Sequence, residues 1–146
     1  LAVKCASDFI TKHENENTDE RRAQVAFLQY LLFQVKNVSP THYISSNQLV
    51  AVIREYLNHR ITKNFLFRRV IAPLRDDGII IASCSHGYKI PVSVEDITTY
   101  LNQTHTIVSP MLHRVEVCRK LVLEKTHGKF DILDHPAFIR YKKYFD

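Results

Sequence analysis

At 146 residues, with 45% hydrophobic and 24% charged side chains, the chain is long enough to bury a substantial core, and its balance excludes a disordered polyelectrolyte. Three glycines are too few for a turn-dense all-β fold, and the longest apolar run, 25–35, is broken by Gln29 and Gln34, which excludes a bilayer span. The formal net charge is +5, and its distribution along the chain says more than its size.

Residues 1–10 are mildly apolar and read as an N-terminal extension or the end of a preceding element, and a start at Leu1 without an initiator Met leads us to expect a fragment or a trimmed chain. The polar, acidic stretch 11–20 suits a linker. Thr18 or Asp19 then caps a helix running to about Asn37, with Glu20, Arg21 and Arg22 in its first turn. Val25, Leu28, Leu32 and Val35 recur at helical spacing, and Phe27, Tyr30 and Leu31 widen that stripe until the helix reads as largely buried. Ser39-Pro40 ends it. After a short extended piece, 42–44, Ser45 or Ser46 caps a second helix to about Asn58, with Leu49, Ile53, Tyr56 and Leu57 facing inward.

Thr62 caps a third helix, in which Phe67, Ile71 and Leu74 form the buried stripe while Lys63, Asn64, Arg68 and Arg75 point largely the other way. Pro73 removes a backbone donor and predicts a kink or an early end. Asp76-Asp77-Gly78 closes the helix through a left-handed glycine. Residues 79–82 read as a strand, 83–87 as a turn and 88–90 as the returning strand, stopped by Pro91.

Charge is unevenly distributed along this order. Residues 1–53 carry five Lys/Arg and five Asp/Glu, and residues 76–146 carry nine of each. Between them Arg54, Arg60, Lys63, Arg68, Arg69 and Arg75 face a single acid, Glu55, so the surplus sits in 22 residues. A local excess of cations neutralises phosphates and releases their counterions.

The segment 61–91 (ITKNFLFRRVIAPLRDDGIIIASCSHGYKIP) is similar to the recognition helix and wing of biotin-repressor-type winged-helix domains, which occur in bacterial and phage proteins. Leu74-Arg75-Asp76-Asp77-Gly78 and the run from Ser83 to Tyr88 carry the resemblance. It implies a mainly α fold with a small β-hairpin: a winged helix-turn-helix over 19–91, followed by a C-terminal helical extension over 92–146. It also implies a module that binds duplex DNA, with the third helix in the major groove. Lys63, Asn64 and Arg68 are then the candidates for base edges, and Arg69, Arg75 and Arg60 the candidates for phosphate. Ser46 and Asn47, at the start of the second helix, meet the backbone, and Ser85, His86 and Lys89 belong to the wing.

Beyond Pro91, Ser93 with Asp96 makes a partial cap for a helix entering at Val94. Val94, Ile97, Leu101, Thr104, Val108, Met111, Val115, Cys118 and Val122 alternate at steps of three and four, a heptad seam interrupted by Pro110. Pro110 either kinks one long helix or, with Ser109 as cap, begins a second. The seam serves a homodimer interface through Leu101, Val108, Met111, Val115, Cys118 and Val122, or packs back on its own domain. An aromatic tail from Asp131 adds a helical turn or two.

No pattern supports catalysis, a metal or a cofactor. The eight histidines are scattered, Asp131 and Asp134 stand apart from any nuclease-like cluster, and there is no phosphate-cradling glycine loop. Cys5, Cys84 and Cys118 read as reduced thiols of a cytoplasmic protein. Three functions stay open: duplex DNA binding with a regulatory or targeting role, a winged helix used for protein–protein contact, and the accessory domain of an enzyme.

Overall fold

Thr18, Ser45 and Thr62 each stand in extended backbone one residue before a helix, and their side chains accept from the N–H groups of Arg21, Gln48 and Phe65. These caps satisfy donors that a helix start leaves unpaired, so they fix where three helices begin. A computed structural model describes residues 1–102 and 107–146, in two units, Leu1–Leu101 and Asn102–Asp146. The architecture is mainly α with one small antiparallel hairpin and a long C-terminal helix.

In the first unit, α1 (Ala2–His13) sets Ala2, Ala6 and Phe9 into the same core as the later helices. The N-terminal segment is therefore part of that unit and not an appendage, and the expected linker shrinks to 14–18. Helix α2 (Asp19–Phe33) is central: Ala23 to Leu28, Leu31 and Leu32 are all buried, and a π turn, Gln34–Val38, prolongs it. Helix α3 (Ser46–Leu57) buries Leu49, Ile53 and Leu57 and ends at Asn58 in a left-handed conformation. Tyr56, expected inward, is 48% exposed, with the Arg22 guanidinium 5.5 Å from its ring centroid.

The third helix of the expected motif, α4 (63–76), joins an α turn, Lys63–Phe65, to a π segment, Leu66–Ile71, and a final α turn, Ala72–Asp76. In the π segment the hydrogen bonds skip one residue more than in an α-helix, as where the Ala72 N–H donates to the Phe67 carbonyl. Pro73 gives the reason. It has no N–H to close onto the Arg69 carbonyl four residues earlier, and its ring crowds that carbonyl. Buried Gln24 of α2 supplies the missing donor, its Nε2 lying 3.0 Å from the Arg69 oxygen. The inserted residue shifts the inward face: Leu66, Val70, Ile71 and Leu74 are buried, and Phe67, expected beside Ile71 and Leu74, is 51% exposed.

Gly78, at φ +86°, terminates α4 as anticipated, with the Ile79 N–H reaching the Leu74 carbonyl and the Gly78 N–H that of Arg75. The first strand lies later than expected and the second one residue earlier. Ile79 and Ile81 are buried but unpaired as strand, and β1 is Ala82–Cys84, returning through a two-residue turn, Ser85-His86, into β2 (Gly87–Lys89). Ala82 pairs with Lys89, Ser83 with Tyr88 and Cys84 with Gly87. Ile44 adds a third edge, exchanging both backbone hydrogen bonds with Tyr88 at 2.8 and 2.9 Å. Helix α5 (Val94–Leu101), with the Ser93 hydroxyl accepting from the Asp96 N–H, packs on β1 and extends the unit past Pro91.

The second unit holds α6 (Val108–Lys125), with Pro110 in its first turn and Ile107 at its cap. Ser109 is thus inside the helix and does not cap it. Arg119 grips the tail: its guanidinium donates to both Asp131 oxygens at 2.8–3.2 Å and to Asp146 at 2.8 Å, while Lys142 reaches Asp134 at 2.7 Å. Short 3₁₀ turns, Ile132–Asp134 and Ile139–Tyr144, complete the tail, and Leu133 is its buried anchor. Along the expected seam Val115 and Val122 are half-buried, whereas Val108, Met111 and Cys118 are exposed, as is Leu101 at the end of α5. Thr104 lies outside the described residues.

Candidate nucleic-acid interface

The π segment decides what α4 presents. With Leu66, Val70, Ile71 and Leu74 committed to the core, Lys63, Asn64, Phe67 and Arg68 share the outward side, one turn apart, and all are exposed. Among the described residues neither Lys63 nor Arg68 has a carboxylate in ion-pair range. Both cations and the Asn64 amide are therefore available to an external partner. A helix surface of this kind carries bidentate donors on Asn and Arg and a mobile point charge on Lys.

The remaining cations of the basic run are sorted elsewhere. Arg54 and Arg60 line a shallow recess at the end of α3 together with Glu55, Asn58 and His59. His59 is itself 3.0 Å from the Asp19 carboxylate. Arg69 turns back to α2, where its Nη1 lies 2.9 Å from Glu20. Arg75 is half-buried: it donates to the Ile81 carbonyl at 2.8 Å and to the Ser83 hydroxyl at 3.1 Å, with the Tyr100 ring 4.6 Å away. Arg75 thus ties the end of α4 to the hairpin and is spent on structure. The surplus that reads as one block in sequence is divided by its contacts: Arg69 and Arg75 have partners within the fold, whereas Arg54 and Arg60, like Lys63 and Arg68, have no carboxylate in ion-pair range among the described residues.

Lys89 departs furthest from its expected place at the wing. It is 1% exposed, donates to the Pro40 carbonyl and to Asp96 Oδ2 at 2.7 Å, and lies 5.6 Å from the Tyr43 ring. Burial alone would push the Asp96 carboxyl up, but the Lys89 ammonium and the N–H of Val92 hold it below the ordinary aspartate range. Burial, reinforced by the Asp96 charge, pushes the Tyr43 hydroxyl upward. Consecutive residues are buried on both strands, Ala82 with Ser83 and Lys89 with Ile90, so this end of the hairpin is covered on both faces and Lys89 is enclosed.

What remains at the hairpin tip is Ser85 and His86, both exposed. They lie beside the start of α3, because Gly87 presses on the chain just before it. A β-carbon at Gly87 would stand 2.0 Å from the Ile44 carbonyl oxygen, and its φ of +133° is open to glycine alone. An open recess there is lined by Ser39, Thr41, His42, Ser45, Gln48 and His86. Asn47 is exposed at the first turn of α3, and Ser46 is half-buried. The structure thus gathers His86 with the start of α3, and Lys63, Asn64 and Arg68 with one another.

Phe67 is the member of the α4 surface that periodicity missed. Its signal was available: a proline inside the helix, and a glutamine within an otherwise apolar stretch of α2 to receive the orphaned carbonyl. Among the described residues no group of three or more His, Cys, Asp or Glu is placed to hold a metal, and no helix is long and apolar enough to cross a membrane. The chain matches no family model, no curated protein and no solved structure.

Proposed function

We propose that the first unit is a winged-helix module that binds duplex DNA, with α4 entering the major groove and the Ser85-His86 turn and the start of α3 set against the backbone. The observation that carries the reading is the outward surface of α4, where Lys63, Asn64 and Arg68 stand exposed and, among the described residues, the two cations have no acidic partner. The element order supports it: helix, one-residue edge at Ile44, helix, helix and hairpin, with Ile44 joining β2 as a third strand. The major groove admits a helix, Asn and Arg match adenine and guanine edges there, and a lysine meets phosphate. Arg75 and Lys89 are assigned to holding the hairpin, and Arg69 to the α2 contact. The module would serve a regulatory or targeting part of a larger protein.

Titration of a duplex DNA pool with the full chain at increasing salt tests this. Binding should weaken by orders of magnitude from low to moderate salt, and Lys63→Ala with Arg68→Ala should lower affinity and reduce the salt slope by about one, the share of the lysine on phosphate. Unchanged binding in that double variant removes α4 from the interface. A second reading, self-association through α6, rests on the exposure of Met111, Leu112, Val117 and Leu121. A wild-type mass that stays monomeric at high concentration ends it.

A further inference from the structure

We propose that Phe67 determines sequence preference by packing against the 5-methyl group of a thymine in the major groove; the inference rests on the duplex-binding reading of α4. A single exposed phenylalanine is ordinary on a protein surface. This one is different because the backbone is arranged to expose it. In a regular helix position 67 would fall on the stripe of Ile71 and Leu74, both fully buried. The π turn moves it outward, and that turn is held by Pro73 on one side and by the Gln24 bond to the Arg69 carbonyl on the other. A buried polar side chain of α2 is thus used to keep an aromatic ring in solvent.

The neighbours of the ring identify what it meets. Lys63 and Asn64 lie one turn before it and Arg68 directly after it, all exposed. Two cations that have no acidic partner among the described residues flank the ring, which suits a polyanion rather than an apolar protein surface. Within the major groove the base edges offer donors and acceptors and one apolar group, the thymine methyl, with which phenylalanine makes contact. Asn64 beside it suits adenine, so the pair would favour a site containing a T and a neighbouring A.

The test uses the full chain and a pool of duplexes with a randomised core. Sequences enriched by the wild type are resynthesised with each thymine replaced singly by deoxyuridine, which removes the methyl and nothing else. At one position the replacement should weaken wild-type binding on the order of fourfold, the effect of withdrawing one buried methyl. Phe67→Ala should bind the thymine and deoxyuridine duplexes equally, with an unchanged salt slope and an unchanged circular dichroism spectrum. Phe67→Leu should restore part of the discrimination. Salt-dependent duplex binding with every replacement neutral overturns the inference and leaves the duplex reading intact, as does a methyl effect that persists in Phe67→Ala. Tighter binding to single strands with no methyl effect would mean that the ring stacks on unpaired bases, and it also overturns the inference. A pool that shows no salt-dependent binding at all overturns the duplex reading and this inference with it.

Discussion

Replacing Asp96 by Asn should destabilise the first unit by about 3 kcal/mol, more than Lys89→Met. Lys89 is 1% exposed, and among the described residues its one carboxylate partner is Asp96 at 2.7 Å. Asp96→Asn would leave a buried ammonium with the Pro40 carbonyl and the Tyr43 ring, which offset part of the loss. Lys89→Met keeps the volume and removes the cation. Asp96 would retain the Val92 N–H at 2.9 Å and some contact with solvent, so this change should cost about 1–2 kcal/mol. The double variant should lie close to Lys89→Met alone. Hydrogen exchange of the α2 amides measures the first unit without the second. The carboxyl is held below its ordinary value, near 3.8, so its contribution is complete above that value and is lost as pH falls through the lower folded value. Stability of the wild type should therefore fall in that acid window, and less so in Asp96→Asn. A loss under about 1 kcal/mol for Asp96→Asn, or a larger loss for Lys89→Met, would refute the claim that this ion pair clamps the hairpin to α5.

Gly87→Ala should cost more than about 2 kcal/mol and weaken the Ile44–Tyr88 pairing, read by exchange of the Tyr88 amide, because both φ and the Ile44 oxygen exclude a β-carbon. Gln24→Leu should destabilise by about 1–3 kcal/mol through the unpaired Arg69 carbonyl. In a Pro73→Ala background, where an N–H is again available to that carbonyl, the same change should cost measurably less in urea unfolding, and additive losses would break the link between them. Arg119→Gln should release the tail from α6, seen as faster proteolysis after Lys129 with unchanged exchange in α2. Equal proteolysis rates would show that Leu133 alone holds the tail.

Much of the first unit was legible because its signals are local. A hydroxyl before a helix start has one use, and Thr18, Ser45, Thr62 and Gly78 do what their chemistry prescribes. Periodicity failed where a distant group overrode it. Phe67 and Ile71 share a side of a regular helix, but a proline at 73 and a glutamine 45 residues before Arg69 made the regular helix unavailable. The strand expected at 79–82 begins at Ala82, and the Ile81 carbonyl accepts from Arg75 instead of from a strand. Lys89 looked like a wing cation because its partner, Asp96, lies beyond the hairpin, in a helix that read as a separate extension. The candidate site was legible to the extent that its residues had no such partner.

The same partition decides which cations can recognise anything. A positive side chain attracts an external anion in proportion to what the fold has left uncompensated around it. Arg69 beside Glu20, Arg75 on the Ile81 carbonyl and Lys89 on Asp96 have already met acceptors, and an incoming phosphate would have to displace them. Lys63 and Arg68 have met none among the described residues. They project from the same side of α4, on a segment whose register is locked from behind by Gln24. A basic run of six residues thus resolves into Arg69 and Arg75, which have partners in the fold, and four cations with no carboxylate partner among the described residues: Arg54 and Arg60 at the end of α3, and Lys63 and Arg68 around the aromatic ring of α4. If this chain binds a nucleic acid, the energy and the sequence preference should both be found in that small surface, and substitutions at Arg69, Arg75 or Lys89 should act through stability instead.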